Sequence, residues 1–369
     1  MRVEYLTLTD FRNYAELELR PDPGMNILLG DNAQGKSALL EAIYVLATTK
    51  SHRTSRDSDM IRISRHFARL SARISRERRP DATLELVISR GERKTGRIDG
   101  TTHTKLGDLI GQLNAVIFSS LDIEMVRGEP SLRRRFMDLE ICQVSPQYVY
   151  ALGRYKRGLE QRNNLLKEIK LGTSTEDTLG VWDQQLSHYG ATVMGKRMQF
   201  ATFLADCAAR VYRELTGGKE ILSVSYKPSV AVAGGGEIGL GLLQALENRR
   251  EVDVSRGTTT VGPHRDDLAI SVDGLSVKDY ASQGQQRSVA LALKLAEMDL
   301  LARESGEPPV LLLDDVGAEL DPERRARAIR LSAGRCQTFV TTTDLEELDQ
   351  QTLDSAAVFR VTSGEVIPQ

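Results

Sequence analysis

Residues 30–37 read GDNAQGKS, which fills every fixed position of G-x-x-x-x-G-K-[ST]. The apolar run MNILL (25–29) precedes it and ALLEAIYVLA (38–47) follows, so a strand feeds a glycine turn that opens a helix. Such a turn can cradle phosphate. The backbone N–H groups of residues 32–37 would point at one phosphate, and the positive end of the following helix adds to the attraction. Gly30, Asp31, Asn32, Ala33, Gln34 and Gly35 are the expected cradle. Lys36 would neutralise the β and γ oxygens of ATP, and the Ser37 hydroxyl would ligate Mg²⁺. The competing reading is a chance glycine turn ahead of a helix, which the strand–loop–helix context disfavours.

Two further stretches fit the same chemistry. In VLLLDDVGAELD (310–321) four apolar residues end in two acids, as in a buried strand that delivers carboxylates to a magnesium nucleotide. Asp314 would hold the metal through water, and Asp315 would polarise the attacking water. In SQGQQRS (282–288) a serine and a glycine stand at a helix start, exposing a hydroxyl and N–H groups to an anion. That stretch alone is equally an ordinary helix cap. One long helix separates it from LLLDD, which is the layout of the ABC-type ATPase signature, so Ser282, Gly284 and Gln285 join the expected nucleotide contacts.

The chain that must position these residues has 369 of them, 40% hydrophobic and 27% charged, enough for two or three domains. MRVEYLTLTDFRNY lacks the apolar core of a secretory leader, and no apolar run nears the roughly 20 residues that span a bilayer. Cys142, Cys207 and Cys336 are scattered, as are the five histidines, so reduced thiols, no protein-built zinc site, a cytoplasmic location and no membrane partner are expected. Net charge is −2, but residues 50–135 hold 19 Lys and Arg against 11 Asp and Glu. Arg133, Arg134 and Arg135 lie in that segment and are the candidate DNA contacts; a solvated face is the bland alternative.

Strand character marks VEYLTLTDF, AELELRP, MNILLG, RLSARIS, ATLELVISR, KTGRIDG and AVIFSS. From about 131 to 217 the pattern is helical, split by KLGTSTED at 170–177. ILSVSYKPSV and AISVDG read as strands, AVAGGGEIGLG as a glycine-rich loop, and GLLQALENRR as a short helix. GQQRSVALALKLAEMDLLARES (284–305) reads as a long amphipathic helix. PPVLLLDD, QTFVTTTD and AAVFRVTSG complete the strands, with ERRARAIRLSA a helix. The expectation is an α/β head built from both chain ends with an inserted, mainly helical second lobe. Its segments are 1–125 with the phosphate loop, 126–280 as the second lobe, and 281–369 with the signature helix and acidic strand.

FRNY (11–14), the phosphate loop, LLEAIY (39–44), KSHRTSRDSDMI (50–61), RGEPSLRRRFMD (127–138), VGPHRDDL (261–268), SQGQQRSVALALKLAE (282–297) and LLLDDVGAELD occur in that order. Together they resemble the RecF family of bacterial replication and repair ATPases, over nearly the whole chain. The resemblance implies an ABC-type head, ATP and Mg²⁺ as cofactors, and binding of single-stranded, gapped or duplex DNA. It also implies weak DNA-dependent ATPase activity, an ATP-dependent homodimer, and work at gaps and stalled forks. There the family acts with RecO and RecR to load RecA onto strands coated by single-strand-binding protein. Departures exist: the family's P-E-D-L reads SLDI at 120–123, keeping Asp122. Thr343 stands where transporter ATPases carry a histidine, and Asp315 where they carry a glutamate, which suits slow hydrolysis. His264 and Arg265 could line the nucleotide or lobe interface, or form a structural cluster.

Two other functions compete. A transporter ATPase subunit is disfavoured by the missing histidine and the helical insertion. An SMC-like chromosome protein would need a long heptad array between loop and signature, which is absent.

Overall fold

The computed structural model describes residues 1–231, 238–315, 325, 329 and 334–369. The middle of AVAGGGEIGLG, residues 316–322 and most of ERRARAIRLSA lie outside the described residues.

The phosphate-loop strand β3 (Met25–Leu29) sits in a six-stranded sheet made from distant parts of the chain. β14 (Ala356–Thr362), β3, β13 (Thr338–Thr342), β12 (Val310–Leu313) and β8 (Ala115–Phe118) run parallel, and β15 (Glu365–Pro368) closes one edge antiparallel. The inner strand β12 reads as an unbroken apolar run, VLLL, because both its faces are covered. Alternate side chains serve different cores: Leu28, Leu312 and Phe339 face one, and Ile27, Leu311, Leu313 and Val340 the other. Each such side chain, once buried, contributes about 1.5–3 kcal/mol.

The first core lies against an antiparallel sheet of β1 (Arg2–Phe11), β2 (Tyr14–Leu19), β4 (Phe67–Ser75), β5 (Ala82–Ser89), β6 (Thr95–Ile98) and β7 (Thr101–His103). Here polar and apolar residues alternate, since one face meets water; along β4 Ala68, Leu70, Ala72 and Ile74 point inward. Helix α1 (Lys36–Thr48) is sandwiched between the two sheets and buried almost throughout, which fixes the loop that precedes it.

The second core joins the other face of the parallel sheet to the helices α2 (Asp122–Arg127), α3 (Pro130–Val144), α4 (Pro146–Lys170) and α5 (Leu179–Thr216). A small sheet of β9 (Leu222–Lys227), β10 (Asp267–Val272) and β11 (Leu275–Ser276) packs with them. Helices α6 (Ile238–Asn248) and α7 (Arg250–Arg256) lie beside α4 and α5. A short α8 (Val277–Tyr280) leads into α9 (Gln283–Ser305). One expectation is corrected: α9 is not amphipathic. Residues 288–298 are buried on every side, because the helix runs between the parallel sheet and the helical lobe.

Candidate nucleotide-binding site

The carboxyl ends of β3 and β12 carry the two chemical elements, with β13 between them. After β3 the chain reverses through Ala33, at φ 65°, and Gly35, at φ 121°. A Cβ on Gly35 would lie 2.7 Å from Asn13 Nδ2 and 3.0 Å from the Tyr14 hydroxyl, so both conformation and space demand glycine there. The same neighbours hold the loop: Asn13 donates to the Gln34 carbonyl (2.8 Å) and Tyr14 to that of Gly35 (3.0 Å). On the far side, the backbone N–H of Ser363 donates to Gln34 Oε1 (2.6 Å) and that of Gly364 to the Gln34 carbonyl (3.0 Å).

Lys36 Nζ donates to the carbonyl oxygens of Gly30 and of Asp31, the latter at 2.8 Å. Desolvation lowers its pKa, against the pull of Asp315, Asp314 and Asp31. The Ser37 hydroxyl donates to Asp314 Oδ1 (2.8 Å), and Thr341 donates to the same oxygen (3.0 Å). Burial raises the Asp314 pKa, with the Ser37 and Thr341 hydrogen bonds opposing. Asp315 is exposed, in the left-handed region at φ 52°, and its N–H donates to the Thr341 hydroxyl (2.8 Å). Thr341 therefore aligns both acids, a role that TFVTTTD did not announce.

These groups open on a cavity of about 940 Å³ lined by Asn32, Ala33, Gly35, Lys36, Ser37, Asp315 and Thr341. Its opposite wall is basic, with Arg12, Arg53, Arg62 and Arg65. Arg12 makes a two-point bond to buried Glu41 (2.8 and 2.6 Å), and Ser51 donates to the same carboxylate. FRNY and KSHRTSR are thereby tied to α1 beside the cavity. No periodicity in the sequence could assign these arginines to it. Gly30, Asp31 and Gln34 do not line this cavity; they border a neighbouring one of about 440 Å³ with Thr343, Asp344 and Val361. Within the loop, the first two supply the carbonyls that hold Lys36.

A phosphate chain and Mg²⁺ fit these residues. The cradle has glycine where a Cβ would strike Asn13 and Tyr14, one lysine, and the hydroxyl and carboxylate oxygens that a hard cation requires.

Ser282, Gly284 and Gln285 are elsewhere. Ser282 caps α9: its hydroxyl accepts from Gln285 N–H (3.2 Å), while Gln285 Oε1 accepts from Ser282 N–H (2.8 Å). Gln285 Nε2 also donates to Glu220 (3.0 Å). None of the three lines the cavity of Lys36, and Ser282 is exposed.

Arg133 of the arginine run is a correction. Arg133 is buried, holds Asp267 at 2.7 and 2.9 Å, and donates to the Gly128 carbonyl (2.9 Å), so it is not available to DNA. Arg134 donates to the Asp266 carbonyl (2.7 Å), and only Arg135 is exposed, donating to the Ser51 carbonyl (2.7 Å). VGPHRDDL is the counterpart of that run and a structural cluster. His264 pairs with the Tyr155 hydroxyl (2.7 Å) and the Thr259 carbonyl (3.0 Å), and Arg265 donates to that carbonyl (3.2 Å). Asp122 of SLDI is turned inward, accepting from Ser119 N–H (2.6 Å).

The RecF/RecN/SMC N terminal domain family matches residues 2–365. The chain is 41% identical to the DNA replication and repair protein RecF of Halalkalibacterium halodurans, over 99% of this chain and 98% of that one. It is also 41% identical to RecF of Bacillus subtilis over the full length of both. A solved structure of the recombination mediator protein RecF-ATPrS in the RecFOR pathway superposes with a TM-score of 0.91 at 32% identity, covering 100% and 98% of the two chains. An Smc head domain from Pyrococcus furiosus, 17% identical with a TM-score of 0.57, shares the fold. Among the described residues, no helix is long and apolar enough to cross a membrane.

Proposed function

We propose, for a chain that belongs to the RecF family of DNA replication and repair proteins, that it is an ATP-gated DNA-binding protein with slow hydrolysis. The observation that carries this reading is the Ser37–Asp314 pair beside Lys36 at the mouth of one basic cavity. On binding ATP, Lys36 leaves the Gly30 and Asp31 carbonyls for the β and γ oxygens. Ser37 and Asp314 would hold Mg²⁺, which would supply positive charge against the phosphate oxygens. Asp315, which lines the cavity, polarises the water that attacks the γ-phosphorus, while the bond to the bridging oxygen breaks and ADP leaves. The family's solved structures with ATP and its analogue support ATP as the nucleotide.

The finer function follows the relatives. The protein acts at gaps and stalled forks, with RecO and RecR, to help load RecA onto single strands coated by single-strand-binding protein. ATP joins two copies and so closes a DNA-holding state. The test is fluorescence anisotropy on single-stranded, gapped and duplex DNA without nucleotide, with ADP and with ATP. ATP should tighten binding of the wild type, and the effect should vanish in Lys36→Met. Identical affinities in all three nucleotide states would overturn the gating.

A further inference from the structure

Several arginines of the helical lobe hold acids. Arg133 holds Asp267, Arg162 holds Asp183 and Asp253, Arg197 holds Asp138, and Arg250 holds Asp183, all within 2.7 Å. On α4, by contrast, Arg154 and Arg157 are exposed and, among the described residues, have no carboxylate within 4 Å. Tyr150, Arg154 and Arg157 follow at i, i+4 and i+7, so they share one helix face. On α5, Trp182 and Tyr189 are seven apart and share another. The helices pack along their length, so the two faces adjoin: a Cβ on Gly158 would meet Gln185 and Leu186, and Arg162 reaches Asp183.

The aromatic groups of this surface are already assembled. The Tyr150 and Tyr189 rings meet edge to face, with centroids 6.0 Å apart at 75°. His188 meets Tyr189 at 4.9 Å, also at 75°. The Arg154 guanidinium lies 5.3 Å from the Tyr150 centroid. Yet Tyr150 is 52% exposed, and Trp182 and Tyr189 are half-buried. Tyr189 rests against the hydrophobic core, and Tyr150, held to it edge to face, is left facing water.

Unmatched cations interleaved with partly open rings suit a polyanion that also carries planar rings. Duplex DNA offers the anions but stacks its bases internally, and an acidic peptide offers no regular series of flat faces. A single strand offers both. We propose that this face of α4 and α5 is a stacking platform for single-stranded DNA. Tyr150, Tyr189 and Trp182 receive bases, and Arg154 and Arg157 receive the phosphates between them. Trp182 and Tyr189 are roughly 10 Å apart along the helix, so the platform serves roughly two or three nucleotides. The inference rests on the DNA-binding function above and names its single-strand surface, apart from the arginine run, whose Arg133 is committed internally.

Trp182 is the one tryptophan in the chain, so its fluorescence reports this face directly. The full-length protein is titrated with a short oligothymidylate and with a duplex of equal length, exciting only tryptophan. Saturable quenching by the single strand is expected, with little from the duplex. Tyr150→Ala should weaken single-strand affinity roughly tenfold or more, as loss of a stacked base does. Tyr150→Phe should retain it, and ATP binding should be unchanged in both. Absent or equal quenching, or an unaffected Tyr150→Ala, overturns the platform. If the wild type then still binds single strands in an ATP-dependent way, the function stands without this surface. Quenching that ignores ATP keeps the platform and removes the gating.

Discussion

Arg133, Arg134 and Arg135 are consecutive, and each has a different surrounding. α3 turns the first inward to Asp267, sets the second at the lobe surface against a backbone carbonyl, and leaves the third at the rim. Removing one partner of a buried pair leaves the other uncompensated, so Arg133→Ala is expected to cost about 3 kcal/mol in denaturant unfolding, whereas Arg135→Ala should stay within about 0.5 kcal/mol. Charge counting could not separate them, because burial depends on helical phase against elements over a hundred residues away. Asp314 shows the opposite side of the same physics. Burial raises its pKa in the fold, so its charge is less favourable there than in the unfolded chain and costs stability above the unfolded pKa. Asp314→Asn keeps an acceptor for Ser37 and Thr341 while removing that charge. Thermal unfolding without nucleotide should therefore rise by roughly 1–3 °C, while the stabilisation by ATP and Mg²⁺ is lost. An unchanged or lower midpoint would mean that the site is not strained by its own carboxylate.

Helix α9 links the signature end to the centre of the molecule, and its middle carries ions where a hydrophobic run would be expected. Lys294 Nζ stands 2.5 Å from Glu297 and 3.9 Å from Glu140, a close ion pair whose geometry leaves Glu297 without an aligned hydrogen bond. Burial works against the lysine's charge, but Glu297, Glu140 and Asp122 hold its pKa above the ordinary value. Burial likewise raises both glutamates. A group with a raised native pKa binds more protons folded than unfolded, so stability falls as pH climbs above its unfolded value. Lys294→Met removes the compensating cation. Its stability deficit should therefore be larger at pH 8 than at pH 5, read as unfolding midpoints at the two pH values; a deficit independent of pH would place the loss in packing instead. The sequence shows α9 as a helix through its length and its Ser282 cap. Lys294 and Glu297 of KLAE interrupt the apolar letters of that stretch, which is why an amphipathic helix is the natural and mistaken expectation. Strands were more legible: β12 as a solid apolar run and β4 or β5 as alternation, each pattern set by how many faces are covered. β15 and α2 are too short and too polar to stand out.

At the scale of the whole chain, the order of motifs discloses the head assembled from both ends, because β3 and β12 can share a site only if the sheet brings them together. What the order cannot disclose is distance. Ser282 and Lys36 belong to one proposed nucleotide site, yet Ser282 lies exposed at the start of α9 and lines no part of the cavity around Lys36. A second copy can resolve this. Related by a two-fold axis, each copy would present Ser282 and the Gly284 backbone to the γ-phosphate held by its partner's phosphate loop, trapping two nucleotides. ADP lacks that phosphate, so hydrolysis would release the joint. Light scattering should then find monomers without nucleotide or with ADP and dimers with ATP, and specific ATPase activity should rise with protein concentration. Ser282→Arg alters an exposed cap and leaves every residue of the cavity in place. It should bind ATP as the wild type does, with at most about 1 kcal/mol of helix-cap stability lost, but neither dimerise nor show the concentration dependence. A Ser282→Arg protein that dimerises on ATP and hydrolyses it normally would separate the signature helix from the nucleotide, and the exposed cap would then be only a cap.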